Sequence, residues 1–186
     1  KWVIIKPFKT LKMIKEKSLS YMLEIQSHLN KIDEICKREN MGDIFSYSKV
    51  KEVLMASHLG HTVPKDYSGA DAYNKFNIPV EYKSTISKNI NGTYNGISVQ
   101  SSWEAQLEYL ETEKIGKYPE HYYGRFNGTV IEEIWKVDSK DVLDILIPKL
   151  KRDYDRKTNP NSKHKDPRLS GSISKKEIYK YGTQIL

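Results

Sequence analysis

Gly69-Ala70-Asp71-Ala72-Tyr73-Asn74-Lys75-Phe76-Asn77-Ile78-Pro79-Val80-Glu81-Tyr82-Lys83-Ser84 is the stretch that decides how this chain folds. It reads as two short strands, residues 69–73 and 78–84, around an asparagine-flanked turn at 74–77. Pro79 lacks an amide proton for a ladder and weakens only the start of the second strand. Side chains alternate along a strand, so Ile78, Val80 and Tyr82 face one way and Glu81 and Lys83 the other. Whether Asp71 joins the second group depends on turn parity. A connection of three or five residues sets it opposite Glu81 or Lys83 on one sheet face; an even one sends it to the other face unless a bulge intervenes.

Upstream, Ser48 as N-cap and Gly60 as a left-handed C-terminal residue bound a helix over residues 48–60. Val50, Val53, Leu54 and Ser57 share one face of it, with Glu52 to the side. Earlier still, Met22, Ile25, Leu29, Ile32 and Cys36 recur at spacings of 3, 4, 3 and 4, which predicts a helix over residues 18–38 with a single apolar stripe. That stripe fits a seam between chains as well as packing on the domain's own core, and core packing is the expectation.

Downstream, residues 88–96 form a polar, Gly- and Asn-rich loop or hairpin. Ser101-Ser102-Trp103-Glu104 resembles a capping box, opening a helix through Leu107 and Leu110 that stops near Gly116. Asn127-Gly128 is the strongest hairpin signal in the chain and joins strands at 121–126 and 129–137. A helix follows from Ser139, with Pro148 kinking or ending it. A polar linker spans 158–171, and Ser174-Lys175-Lys176-Glu177 caps a short last helix ending at Gly182. The predicted fold is α/β, a central mixed β-sheet flanked by helices in a single domain. Its parts are a helical N-terminal part (1–47), a core (48–150) and a basic C-terminal extension (151–186).

The chain's 186 residues suit one domain, and 38% hydrophobic with 11% aromatic residues supports a core, which excludes wholesale disorder. No apolar run approaches the ~20 residues needed to cross a bilayer. The N-terminal apolar stretch, Trp2 to Ile5, has no cleavage site after it, so a soluble, cytoplasmic protein is expected. One cysteine excludes an internal disulfide framework and a Cys-rich zinc site. A net charge of +7 favours a polyanionic partner, because phosphate contacts release condensed counterions. Residues 149–180 hold eleven basic side chains against four acidic ones, which also fits a solvated surface.

The candidate chemistry lies in Glu52, Asp71, Glu81 and Lys83. Two carboxylates on neighbouring strands repel, and a hard divalent cation relieves the repulsion while keeping water ligands. A lysine two residues past the second carboxylate can hold or deprotonate that water and offset charge on a phosphorane-like transition state. Glu52, from the preceding helix, would complete the cage or hold a second ion. The competing reading is a surface ion pair at a sheet edge, worth little energetically. Other constellations are weaker. His58 and His61 could pair on a metal but are more often structural, no P-loop spacing exists, and Cys36 sits on an apolar stripe. Tyr94, Tyr122, Tyr123 and Trp103 could stack on bases, although a core role is expected of them.

Lys51-Glu52, Leu59-Gly60-His61, Gly69-Ala70-Asp71-Ala72 and Val80-Glu81-Tyr82-Lys83-Ser84 resemble the active-site core of PD-(D/E)xK nucleases, particularly type II restriction endonucleases. The span covers about a fifth of the chain, in the family's order of helix, acidic strand and Glu-x-Lys strand. The resemblance implies a restriction endonuclease-like core in which Asp71 and Glu81 bind Mg²⁺, for which Mn²⁺ can substitute. Lys83 would activate the attacking water, and Glu52 would be the helix-borne acid. No proline directly precedes Asp71, so Pro64-Lys65-Asp66 makes Asp66 a competing position, and Gln100 matches a polar position near the site in some members. Size and charge resemble the small cleavage subunit of a heterodimeric type IIS enzyme. That implies a site-specific deoxyribonuclease cutting one strand of double-stranded DNA beside a larger, sequence-recognising and nicking subunit. The alternatives are a self-sufficient homodimeric restriction enzyme, a non-catalytic basic DNA-binding module and a protein-interaction protein built on the first long helix.

Overall fold

A computed structural model describes residues 8–41, 43–45, 48–64, 69–161 and 168–186 of the chain, which divides into two units, Lys1–Ile44 and Phe45–Leu186. The first unit is dominated by α1 (Phe8–Glu39), whose last turn carries Lys37 and Arg38, cations suited to the negative end of a helix. It starts well before residue 18. Of the predicted stripe only Cys36 is buried; Met22 and Ile25 are 63% and 58% exposed, and Leu29 and Ile32 are exposed too. Within its own unit the stripe therefore finds no core to pack on. A heptad-like pattern specifies an apolar face but not what covers it.

In the second unit, α2 (Lys49–Leu59) ends at left-handed Gly60, as expected, but its buried residues are Lys49, Met55 and Ala56. The inward face is thus rotated from the predicted one, and Ser57 is exposed. Next come β1 (Ala72–Tyr73), β2 (Pro79–Thr85), β3 (Gly92–Ser98) and α3 (Trp103–Tyr109), which runs into a π-helical turn at Leu110–Lys114. The chain continues through β4 (Glu120–Asn127), β5 (Val130–Asp138), α4 (Ser139–Thr158), β6 (Arg168–Ile173), α5 (Lys175–Tyr181) and β7 (Thr183–Gln184).

The main sheet has the order β1-β2-β4-β5-β7; β2 and β4 are parallel and the other neighbours antiparallel. It is the mixed sheet that the pattern predicts. The Asn127-Gly128 hairpin and the Ser174/Glu177 capping box both form where expected. Alternation along the strands splits the hydrophobic residues between two faces. On one, Val80, Tyr82, Tyr122, Phe126 and Ile134 pack with Met55 and Ala56 of α2. On the other, Tyr123 and Val137 pack with Val142, Leu146 and Leu150 of α4, with β3 and β6, and with Ile178 of α5.

Three local expectations are corrected. Residues 92–98, expected to be a loop or local hairpin, form a strand that pairs with β6 in a second, two-stranded sheet. Pro148 does not end α4, which runs ten residues further. The proline is exposed, and burial of Leu150, Asp153 and Tyr154 carries the helix past the lost amide bond. Residues 151–186 are not an extension, because Leu169, Ile173 and Ile178 are fully buried in the core. Asp153 also fastens α4 to β6 by accepting the Ser170 amide at 3.1 Å. Among the described residues no helix is long and apolar enough to cross a membrane.

Candidate active site

Turn parity is resolved by Asn74. Its Oδ1 accepts the amides of Phe76 and Ile78 at 3.0 and 3.1 Å, and Asn77 takes the left-handed conformation (φ 61°) that asparagine tolerates. The pairs Tyr73↔Pro79 and Ala72↔Val80 leave a five-residue connection. The same register carries Asp71 opposite Glu81. Asp71 is held there by two bonds to β2: its amide donates to the Val80 carbonyl at 3.2 Å, and its Oδ2 accepts the Tyr82 amide at 2.7 Å.

With Val80 and Tyr82 buried on the α2 side, Glu81 and Lys83 point to the opposite face, where Lys83 Nζ donates to Glu81 Oε1. Asp71, Glu81 and Lys83 line one cleft of about 240 Å³ together with Tyr94, Asn95, Glu113, Lys114 and Tyr118. Burial and the neighbouring Glu81 charge push the Asp71 carboxyl up to about 7, against the pull of the Tyr82 amide and Lys83.

The floor beneath Lys83 is a buried polar chain. The ammonium stands 4.8 Å from the centre of the Tyr94 ring, a cation–π contact. His121 is held neutral, its pKa lowered to about 3 by burial and by the Lys83 charge. Its Nε2 donates to the Ile115 carbonyl at 3.2 Å, so its Nδ1 accepts the Tyr94 hydroxyl at 2.9 Å. The Tyr94 oxygen in turn accepts the Tyr123 hydroxyl at 2.7 Å. Tyr94, Tyr122 and Tyr123 are core residues, as expected; Tyr94 also lines the cleft.

Glu52 does not line the cleft. Its carboxylate accepts Ser48 Oγ at 2.8 Å and lies 3.6 Å from Lys49 Nζ, although its charge contributes to the raised Asp71 value. Among the described residues no three His, Cys, Asp or Glu side chains form a group able to hold a metal ion. The expected three-carboxylate cage is therefore not assembled; of the three predicted acids, Asp71 and Glu81 line the cleft and Glu52 does not. His61 is structural: its Nδ1 lies 2.8 Å from the Tyr82 hydroxyl and its ring is edge-on to Tyr122 at 5.2 Å, while His58 is exposed. Gln100 donates Nε2 to the Ser98 carbonyl at 3.2 Å and its backbone amide to Gln106 Oε1 at 2.9 Å, and is not at the cleft. Asp66 lies outside the described residues.

Sequence reasoning missed Asn95, Glu113, Lys114 and Tyr118. Glu113 and Lys114 reach the cleft on the π-helical turn, whose Ile115 amide donates to the Leu110 carbonyl at 2.9 Å. The one sequence sign is the pair of apolar residues Leu110 and Ile115, five apart where an α-helix wants three or four. No protein-family model matches the chain, and no curated protein matches it.

Proposed function

We propose that this chain is a Mg²⁺-dependent DNA endonuclease of the PD-(D/E)xK type, with a restriction endonuclease-like core, hydrolysing a phosphodiester bond in one strand of duplex DNA. The observation that carries the reading is the register that sets Asp71 opposite Glu81, with Lys83 beside them in one cleft. A mere surface pair would not explain a carboxyl raised to about 7 by burial and a second acid. Such a donor set fits a hard divalent cation, whose charge offsets the repulsion between the two acids.

Asp71 and Glu81 would hold the ion, which when bound supplies Lewis-acid charge at the phosphoryl oxygens. Asp71 must lose its proton to serve, and the Tyr82 amide fixes which of its oxygens stays on the strand. Lys83, seated on Tyr94, orients the attacking water and offsets the negative charge that grows on phosphorus. The neutral His121 holds Tyr94 by its hydroxyl, which keeps that seat in place. A larger, sequence-recognising and nicking subunit would supply the target site and the second cut.

Plasmid cleavage in Mg²⁺, with and without proteins encoded beside this chain, tests the reading. Wild type should cut, Asp71→Asn and Glu81→Gln should neither cut nor bind the ion by calorimetry, and Lys83→Ala should bind the ion without cutting. Full cleavage by any of the three would sink the assignment. DNA binding without cleavage under every condition would leave the basic binding module.

A further inference from the structure

The cleft contains a cation that the hydrolytic trio does not use. Lys114 is half-buried, lines the same cleft as Asp71 and Glu81, and forms no ion pair among the described residues. Lys83 differs, engaged both by Glu81 and by the Tyr94 ring.

The backbone that delivers Lys114 is unusual. The amides of Ile115 and Gly116 both donate to the Leu110 carbonyl, at 2.9 and 3.0 Å. Leu110 and Ile115 are fully buried and pin the two ends. Gly116 is required at the close, since a Cβ there would overlap the Glu111 carbonyl. The pinned ends leave one residue more than an α-turn holds, and the surplus swells outward with Glu113 and Lys114 against the cleft. Single π-turns of this kind are rare and recur at functional sites.

We propose that this π-turn forms a phosphate-binding subsite, in which Lys114 is the cation that grips the nucleic-acid backbone before the chemical step. The proposal rests on the nuclease reading above and adds a division of labour to it. The Lys114 ammonium, half-buried and bonded to no carboxylate among the described residues, keeps its donors open to an arriving anion. The arriving anion is a backbone phosphodiester, because the duplex of the nuclease reading brings its phosphates within reach of any cation on the rim, and a divalent ion held by Asp71 and Glu81 would offset the repulsion from the carboxyls of the cleft. Asn95, on the same cleft, offers a neutral donor amide to such an oxyanion. Lys83 is tied to Glu81 and acts on the charge that develops during reaction. Lys114 is free to bind the charge already present, so the two lysines should divide between kcat and Kd.

The test measures binding and turnover separately, on the whole chain. Fluorescence anisotropy of a labelled duplex in Ca²⁺ reports affinity without cleavage. Lys114→Gln should weaken binding about tenfold near physiological salt and lower the slope of log K against log salt by about 1. At saturating DNA in Mg²⁺ it should cleave within about threefold of wild type, and Lys114→Arg should recover the affinity. An unchanged affinity and slope in Lys114→Gln would overturn the subsite, as would a loss of kcat with binding intact. Lys114-dependent binding by a protein that never cleaves would defeat the nuclease reading alone; cleavage with Lys114-independent binding would defeat the subsite alone. Absence of any duplex binding by wild type would end both.

Discussion

Asp71 is the residue at which fold and chemistry compete. Its carboxyl titrates near 7 in the folded protein, raised by burial and by Glu81, against an ordinary value of 3.8. The folded state therefore holds a proton that the unfolded chain has released across that window. Stability from this group is fully present below about 3.8 and is lost as pH rises through 7. Asn in its place keeps an acceptor for the Tyr82 amide and removes the charge. Asp71→Asn is expected to be more stable than wild type at pH 8, by on the order of a few kcal/mol, and to match it near pH 4. Thermal unfolding at the two pH values checks this, and a gain that is equal at both would show that burial of charge is not the cause. Divalent binding should follow the same titration with opposite sense, tightening as pH rises through 7, because only the ionised carboxyl is a ligand.

Among the elements, β3 sets how closely the second layer approaches the site. It enters at Gly92, where a Cβ would penetrate the Tyr123 ring and lie 3.1 Å from Lys83 Cβ. Gly92→Ala should cost about 1–3 kcal/mol through overpacking, read from urea denaturation, and should slow cleavage more than Gly128→Ala at the distant hairpin. If the two variants cleave alike, β3 does not set the position of Lys83. The same element marks where sequence reading stops. Asn127-Gly128 and Ser174 with Glu177 were legible because each signal and its partner lie within a few residues. The trio Asp71, Glu81 and Lys83 was legible for that reason too, once a five-residue connection fixed its parity. By contrast, β3 pairs with β6 from Gly92↔Ile173 to Ser98↔Arg168, a separation across which no local pattern survives, and its glycines and asparagine look like a loop. Lys114 and Glu52 were misjudged in opposite directions, one carried into the cleft by a π-turn and one kept on its own helix by Ser48.

At the scale of the whole molecule, the surplus of seven positive charges is what remains once every acid is offset by a base. Lys136, Lys149, Lys151, Arg156 and Lys157 all pair with acids. The rest should give duplex binding that is weak, salt-steep and indifferent to sequence. One carboxylate–lysine centre cuts one strand. Beside a partner whose own centre is disabled, supercoiled plasmid should therefore pass to the open-circular form, and to linear form only when the partner's centre is active, as a gel time course would resolve. Direct conversion to linear by the chain at low concentration would mean it self-associates to cut both strands. The tyrosines buried on both faces of the main sheet have an optical consequence. Burial holds Tyr82, Tyr94, Tyr122 and Tyr123 far above the ordinary phenol value, and Tyr118 is raised to about 12. These five of the thirteen tyrosines favour the folded state up to the ordinary value near 10 and withdraw that support as alkalinity increases. Ultraviolet absorbance at high pH should hence rise gradually for the outer phenols and then jump, in step with loss of helical ellipticity, as the sheet lets go of the inner ones. The molecule carries its own colour gauge of whether that sheet is closed.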